Sequence, residues 1–281
     1  MSGAPNNVTN VTVETAQKKA PSFLRQMRGL ALRHYYLLRN SPPRLMNDAA
    51  WAALDVLIWG FIGIYLNQQN VEHANLMVVA AIAYQFFFRV QMNSMQSFLE
   101  DIWARSLLHV YMAPMSFNAY VLALMIMGLV RTLPGIIFAA IVGIFAFDAD
   151  VLAVGWYLPV LLLQMIVAAW GFGLALVYFV FRYGHAGEWL IWPLGSILFP
   201  LTCVFYPLSI MPELLKPICL LMPATVSFEL MRSVTADQPF DWLFYSFGMG
   251  VALVWLGIGC LAIHAGRRYL ERTGGIIVMG E

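Results

Sequence analysis

The chain has 281 residues, of which 61% are hydrophobic and 11% charged, with a formal net charge of +1 and a mean hydropathy of +0.73. A soluble domain carries roughly 45–50% apolar and about 25% charged residues, so this composition excludes a water-facing globule, a disordered chain and a disulfide scaffold, and the near-neutral charge gives no reason to expect a nucleic-acid partner. The apolar residues run in long blocks rather than alternating, which selects membrane-spanning helices over a β-barrel.

In chain order, residues 22–39 read first, as a helix lying on the membrane. Phe23, Met27, Leu30, His34 and Leu38 recur at helical spacing, with Arg25, Arg28 and Arg33 toward the other side, the pattern that suits an interface with anionic headgroups. Pro42-Pro43 ends this helix. Six apolar runs follow, 49–66, 75–92, 118–147, 151–181, 189–207 and 242–266, each near or above the roughly 20 residues needed to cross the hydrocarbon. With six spans, the segments 1–48, 93–117, 182–188 and 267–281 together hold twelve lysines and arginines, against two in the alternate loops. That asymmetry predicts both termini in the cytoplasm of a cell-membrane protein. The expected organisation is a cytoplasmic lead-in over 1–48, a six-helix membrane domain over 49–266 and a cytoplasmic tail over 267–281.

Two segments rise above a generic bundle. Between the second and third spans, 93–117 reads as a short amphipathic helix in the cytoplasm. Leu99, Trp103, Leu107 and Val110 share one face, Glu100, Asp101 and Arg105 add charge, and Pro114 closes the segment. Between the fifth and sixth spans, 207–232 carries Pro207, Pro212, Pro217 and Pro223, a density that no continuous helix tolerates. It is also too apolar for an exposed loop, so it reads as two short helices, about 213–221 and 225–234, dipping into the outer leaflet as a re-entrant hairpin.

Charges inside the spans are costly, by roughly 2.5–3.5 kcal/mol each on insertion scales, and are usually paired or functional. Asp55 and Arg89 lie near the inner ends of the first two spans and are expected to pair. Arg131, deeper in the third, is expected to meet Glu213 or Glu229 of the hairpin. Aromatics such as Phe86 to Phe88, Trp156, Trp189 and Trp192 suit interface belts or a stacking pathway. Catalytic signatures are missing: no phosphate-cradling glycine loop, no histidine metal spacing and no nucleophile elbow. No catalytic residue, metal ligand or cofactor site is therefore expected in this chain.

The order of parts resembles the ABC-2 type permeases, the membrane subunits of ABC exporters. Glu100, Leu107, Leu108, Pro114, Met115 and Ser116 match that family's coupling helix, with Trp103-Ala104-Arg105-Ser106 where Gly-Thr is common. Pro207-Leu208-Ser209, Met211-Pro212, Met222-Pro223 and Glu229 to Arg232 match its outer hairpin, with Met where Asn is common. The resemblance implies two copies of a separate ATPase subunit that bind ATP and magnesium, and a second permease copy, giving a homodimer in contact with membrane lipids. It also implies ATPase coupling through Leu99, Glu100, Asp101, Trp103, Arg105, Leu107 and Pro114, with Arg25, Arg28 and Arg33 flanking that contact. The outer gate would comprise Pro207, Pro212, Glu213, Pro217, Pro223, Glu229 and Arg232, and the substrate would be an exported amphiphile such as a lipid-linked polysaccharide, a lipid or a drug. Two alternatives stay open: a proton-coupled secondary transporter working through Asp55 and Arg131, and a membrane-embedded lipid-modifying enzyme using Asp55, Glu100 or Asp101.

Overall fold

A computed structural model of the chain describes residues 22–40, 42–68, 76–104, 112–113, 115–222 and 224–273. Lys18, Lys19, Arg105, Leu107, Leu108, Val110, Pro114, Pro223 and the end of the expected tail, 274–281, lie outside the described residues. Among the described residues the protein is all-helical, 85% helix with no strand.

The long helices are α1 (Phe23–Arg39), α2 (Pro42–Gln68), α3 (Leu76–Trp103), α4 (Phe117–Phe147), α5 (Leu158–Tyr183) and α10 (Trp242–Thr273). Between α5 and α10 lie α6 (His185–Ser196), α7 (Leu198–Leu201), α8 (Lys216–Leu220) and α9 (Thr225–Thr235). Five segments are long and apolar enough to cross a membrane: Met46–Leu66, Leu76–Trp103, Phe117–Phe147, Gly155–Tyr183 and Trp242–Thr273. Their length and apolar composition are compatible with a multi-pass membrane protein. The expected fifth span is built differently. Gly184, at a positive φ of 59°, breaks the chain after α5, and the apolar stretch then forms α6 and the four-residue α7, separated at Ile197. Pro193 and Pro200 lie in these two pieces, and each removes a backbone donor, which explains why one long helix does not form.

Helix α3 is the centre of the bundle: 72% of its most apolar window is buried, against 28% for α2 and α10. It packs on α2, α4 and α5, and α10 packs along α5. Small residues make the last contact close. A Cβ placed on Gly171 of α5 would run into the backbone of Trp255 and Leu256, and one on Gly259 would run into the Gly171 carbonyl. Between membrane helices, where lipid competes for apolar surface, such backbone proximity provides the packing.

Helix α3 runs on to Trp103, well past the expected end of the second span. Residues 93–103 are thus its C-terminal end and not a separate amphipathic helix. Two polar residues of this stretch are satisfied internally: Asn93 Nδ2 donates to Thr132 Oγ1 of α4 at 3.1 Å, and Ser97 Oγ donates to the Asn93 carbonyl at 2.9 Å. On the partner helix, Ser116 caps α4 by accepting from the Ala119 N–H at 3.3 Å.

Candidate functional site: an inner charge network, an aromatic cavity and an outer clasp

Helices α1 to α4 converge on a network of buried charges. Arg131 of α4, only 5% exposed, donates through Nε to Asp48 Oδ2 of α2 at 3.0 Å and through Nη1 to Glu100 Oε1 of α3 at 2.8 Å. Asp48 also takes Arg89 of α3, with Nη1 to Oδ1 at 3.5 Å. Arg131 therefore turns toward the inner end and meets Asp48 and Glu100, not the expected Glu213 or Glu229. Fourteen helical residues separate it from the start of α4, yet Glu100 reaches back toward it from the last turn of α3, and Asp48 enters beside Gly135 of α4, where no side chain blocks the approach. Asp55 and Arg89 do not pair directly. Gln85 stands between them, accepting from Arg89 Nε at 3.3 Å and donating its amide to Asp55.

A second part of the network anchors α1. Arg33 is ion-paired with Asp101, which also accepts from the Tyr120 hydroxyl at 2.7 Å. Leu30 and His34 of the α1 stripe are buried and Met27 packs on the same core, so the middle of that stripe faces the bundle. Arg25 and Arg28 lie on the exposed side. Of the residues expected to meet an ATPase, Leu99 is buried within the bundle, and Glu100 and Asp101 point to Arg131, Tyr120 and Arg33. Trp103 is 48% exposed, and its indole N–H donates to Glu188 Oε1 at 2.8 Å, joining the tip of α3 to the first turn of α6.

Burial lowers the pKa of His34 below its ordinary value of 6.5, an effect that outweighs the opposing pull of Asp101. Its Nε2 has no hydrogen-bond partner. The folded state therefore favours neutral imidazole, and the unfolded or undocked state binds more protons as pH falls below about 6.5. The stabilisation is complete above that value and declines below it. The α1 amides are accordingly expected to lose hydrogen-exchange protection between pH 7.5 and pH 5.5, and His34→Leu is expected to flatten that dependence.

Beside the charges, α2, α3, α6 and α7 line a half-open cavity of about 420 Å³. Trp59 and Phe205 stack with centroids 3.6 Å apart, Tyr84 stacks on Phe88 at 5.9 Å, and Phe199 meets Tyr84 edge-on at 4.8 Å. Asp55 and Gln85 are on the same wall. Among the described residues, no group of three or more His, Cys, Asp or Glu side chains converges to hold a metal.

The proline-rich segment closes the other end. It contains a 3-10 turn at Leu208–Ile210, then α8 and α9, close to the two short helices expected. Arg232 donates to Glu229 Oε1 at 2.7 Å and to the Val204 carbonyl at 3.0 Å, and the same Glu229 oxygen accepts from the Leu208 N–H at 2.6 Å. This clasp ties α9 to the chain leaving α7. Trp255 of α10 fixes the far side by donating to the Leu221 carbonyl at 2.9 Å. Pro207 precedes the 3-10 turn, Pro212 is exposed, Pro217 sits in the first turn of α8, and Glu213 pairs with Lys216 at the exposed tip at 2.6 Å.

Sequence reasoning missed Asp48, Gln85 and Tyr120. Asp48 sits at the mouth of an apolar run, a position easily read as the edge of a loop, and Gln85 is a lone carboxamide inside a span. The polar character of Gln85 within an apolar run was the available signal. Compared with known proteins, the chain matches no family model and no curated protein.

Proposed function

We propose that this chain is the permease subunit of an ABC exporter, with both termini in the cytoplasm of the cell membrane. In this reading α6 and α7 together make a short fifth span, completing six. The carrying observation is that two chains of contacts connect the inner tip of α3 to the aromatic cavity. One runs from Glu100 through Arg131, Asp48, Arg89 and Gln85 to Asp55. The other runs from Trp103 to Glu188 at the start of α6, the helix leading to Phe199. A separate ATPase pressing on the segment after Trp103 would thereby displace α4, α2 and α6 together. Packed helices with fixed ion pairs move as units between discrete arrangements.

Two ATPase subunits would carry ATP and magnesium, and a second permease copy would complete the pathway for an amphiphile. The α2 face bearing Trp51, Leu54, Ile58 and Phe61 is exposed and apolar, which suits either lipid or that second copy. The Glu229–Arg232 clasp would hold the outer mouth closed between transport events. Trp103→Ala tests the reading: ATP-driven transport in vesicles is expected to fall about tenfold or more, as loss of one aromatic interface anchor does, while the amount of folded protein is unchanged. Isolation from native membranes in mild detergent with no nucleotide-binding subunit attached, together with unaltered transport by this variant, would overturn it.

A further inference from the structure

Among the described residues at this end of the bundle, Asp48, Glu100 and Asp101 each carry an ion pair and Asp55 carries none. Asp48 and Glu100 are joined to Arg89 and Arg131, and Asp101 to Arg33. Asp55 has no ion-pair partner among the described residues; its carboxylate accepts from the Gln85 amide. Arg89, which donates to the opposite end of that amide, fixes its orientation. One carboxylate is therefore presented to a cavity whose other walls are Trp59, Tyr84, Phe88, Phe199 and Phe205.

We propose that this cavity binds a hydrophobic monocation, an ammonium, phosphonium or guanidinium group carrying a flat apolar body, with Asp55 as its counter-ion. Three observations select this class. The volume, about 420 Å³, falls within the roughly 300–1,000 Å³ of small-molecule sites. Aromatic faces attract cations through their quadrupoles. A glycan, in contrast, needs many hydrogen-bonding partners, and apart from Asp55 the polar side chains on these walls are Tyr84, Gln85 and Ser196. Gln85 is already engaged at both ends, and the Ser196 hydroxyl donates to the Trp192 carbonyl at 2.9 Å. A second recess, about 530 Å³ along α10, is larger but has no charged residue on its walls, so volume alone does not mark the site.

The inference names the substrate class of the exporter reading and rests on it for transport, but binding itself needs no ATPase. The test is equilibrium binding of tetraphenylphosphonium to the purified full chain in uncharged detergent, with tetraphenylborate, of similar shape and opposite charge, as control. Saturable binding of the cation and none of the anion is expected. Asp55→Asn should weaken it about tenfold, the equivalent of about 1.4 kcal/mol, and Asp55→Glu should retain most of it. Trp59→Ala should weaken it about threefold to tenfold through the lost ring face. Equal binding of both ions, or binding unchanged in both Asp55→Asn and Trp59→Ala, would overturn the proposal. If Asp55→Asn does not fold, Trp59→Ala and the anion control decide. Competition separates the sources of the cation. Displacement by dihexanoyl phosphatidylcholine but not by the phosphatidylglycerol of the same chain length assigns the site to a lipid headgroup, and displacement by neither assigns it to a free cation. Failure of binding in a chain that still co-purifies with an ATPase removes this inference and leaves the exporter reading standing.

Discussion

Replacing Arg131 by methionine is expected to be the most destabilising change at the inner end of the bundle. The substitution leaves Asp48 and Glu100 buried next to each other without the cation that bridges them. Breaking a buried pair costs about 3–5 kcal/mol when the remaining charge is left uncompensated, and the Arg89 contact kept by Asp48 offsets part of that here. Arg131→Lys is expected to recover only part of the loss, because one ammonium cannot present the planar fork that reaches two carboxylates from Nε and Nη1. Adding Glu100→Gln to Arg131→Met removes one of the two carboxylates that lost this cation, so the double variant should be more stable than the sum of the two single changes predicts. Thermal unfolding in detergent of the unaltered chain, the three single variants and the double variant checks the series. Additive losses would mean that the bridge carries no coupling. Transport should fall with stability in Arg131→Met and still be impaired in the double variant, because the path from Glu100 toward Asp55 is cut in both.

The second large effect is expected at the crossing of α5 and α10. Gly171→Val puts branched carbon where the backbone of Trp255 and Leu256 already lies, and Gly259→Val does the same against the Gly171 carbonyl. Backbone cannot rotate aside as a side chain does, so the helices must separate. Overpacking costs about 1–3 kcal/mol even where side chains absorb it, and more is expected here. The matched control is Gly257→Ala on α10, where an added Cβ meets nothing within 4 Å. It should leave stability unchanged or raise it slightly, because alanine is the better helix former. Thermal unfolding and the yield of monodisperse protein distinguish the three variants. Loss confined to Gly171→Val and Gly259→Val supports a close backbone crossing; equal behaviour of all three removes it.

Several elements were legible before any coordinates because they depend on composition along a short stretch of chain. The apolar runs at 49–66, 118–147 and 242–266 coincide with candidate spanning helices, since length and hydropathy suffice to define a helix able to cross a bilayer. The spacing of Leu30 and His34 identified the buried side of α1. The prolines of 207–232 forced short helices, and α8 and α9 have that character. The inner end of α3 was less legible. Asn93, Ser94 and Ser97 look like the start of a water-exposed segment, yet all three are buried. A polar residue reads alike in sequence whether water or a neighbouring helix satisfies it, and only the packing of α4 distinguishes the two.

Pairing was the least legible. Asp55 and Arg89 sit at similar expected depths, and helical rise alone made them partners; Gln85 intervenes, and Asp48 claims the guanidinium. The direction of Arg131 depended on which end of α4 had acids within reach of a long side chain, and the bundle places Asp48 and Glu100 there.

By itself the amino-acid sequence determined that this protein is helical, built of long apolar segments suited to a bilayer and carries a basic amphipathic lead-in, because each of these follows from local composition and from periodicity within one segment. The tertiary structure alone decided which charges neutralise one another, which carboxylate is left facing the aromatic cavity, and how the tip of α3 connects to it. Those are properties of distances between helices far apart in the chain, set by the packing of small and large side chains across their interfaces, and no periodicity within a single helix encodes them.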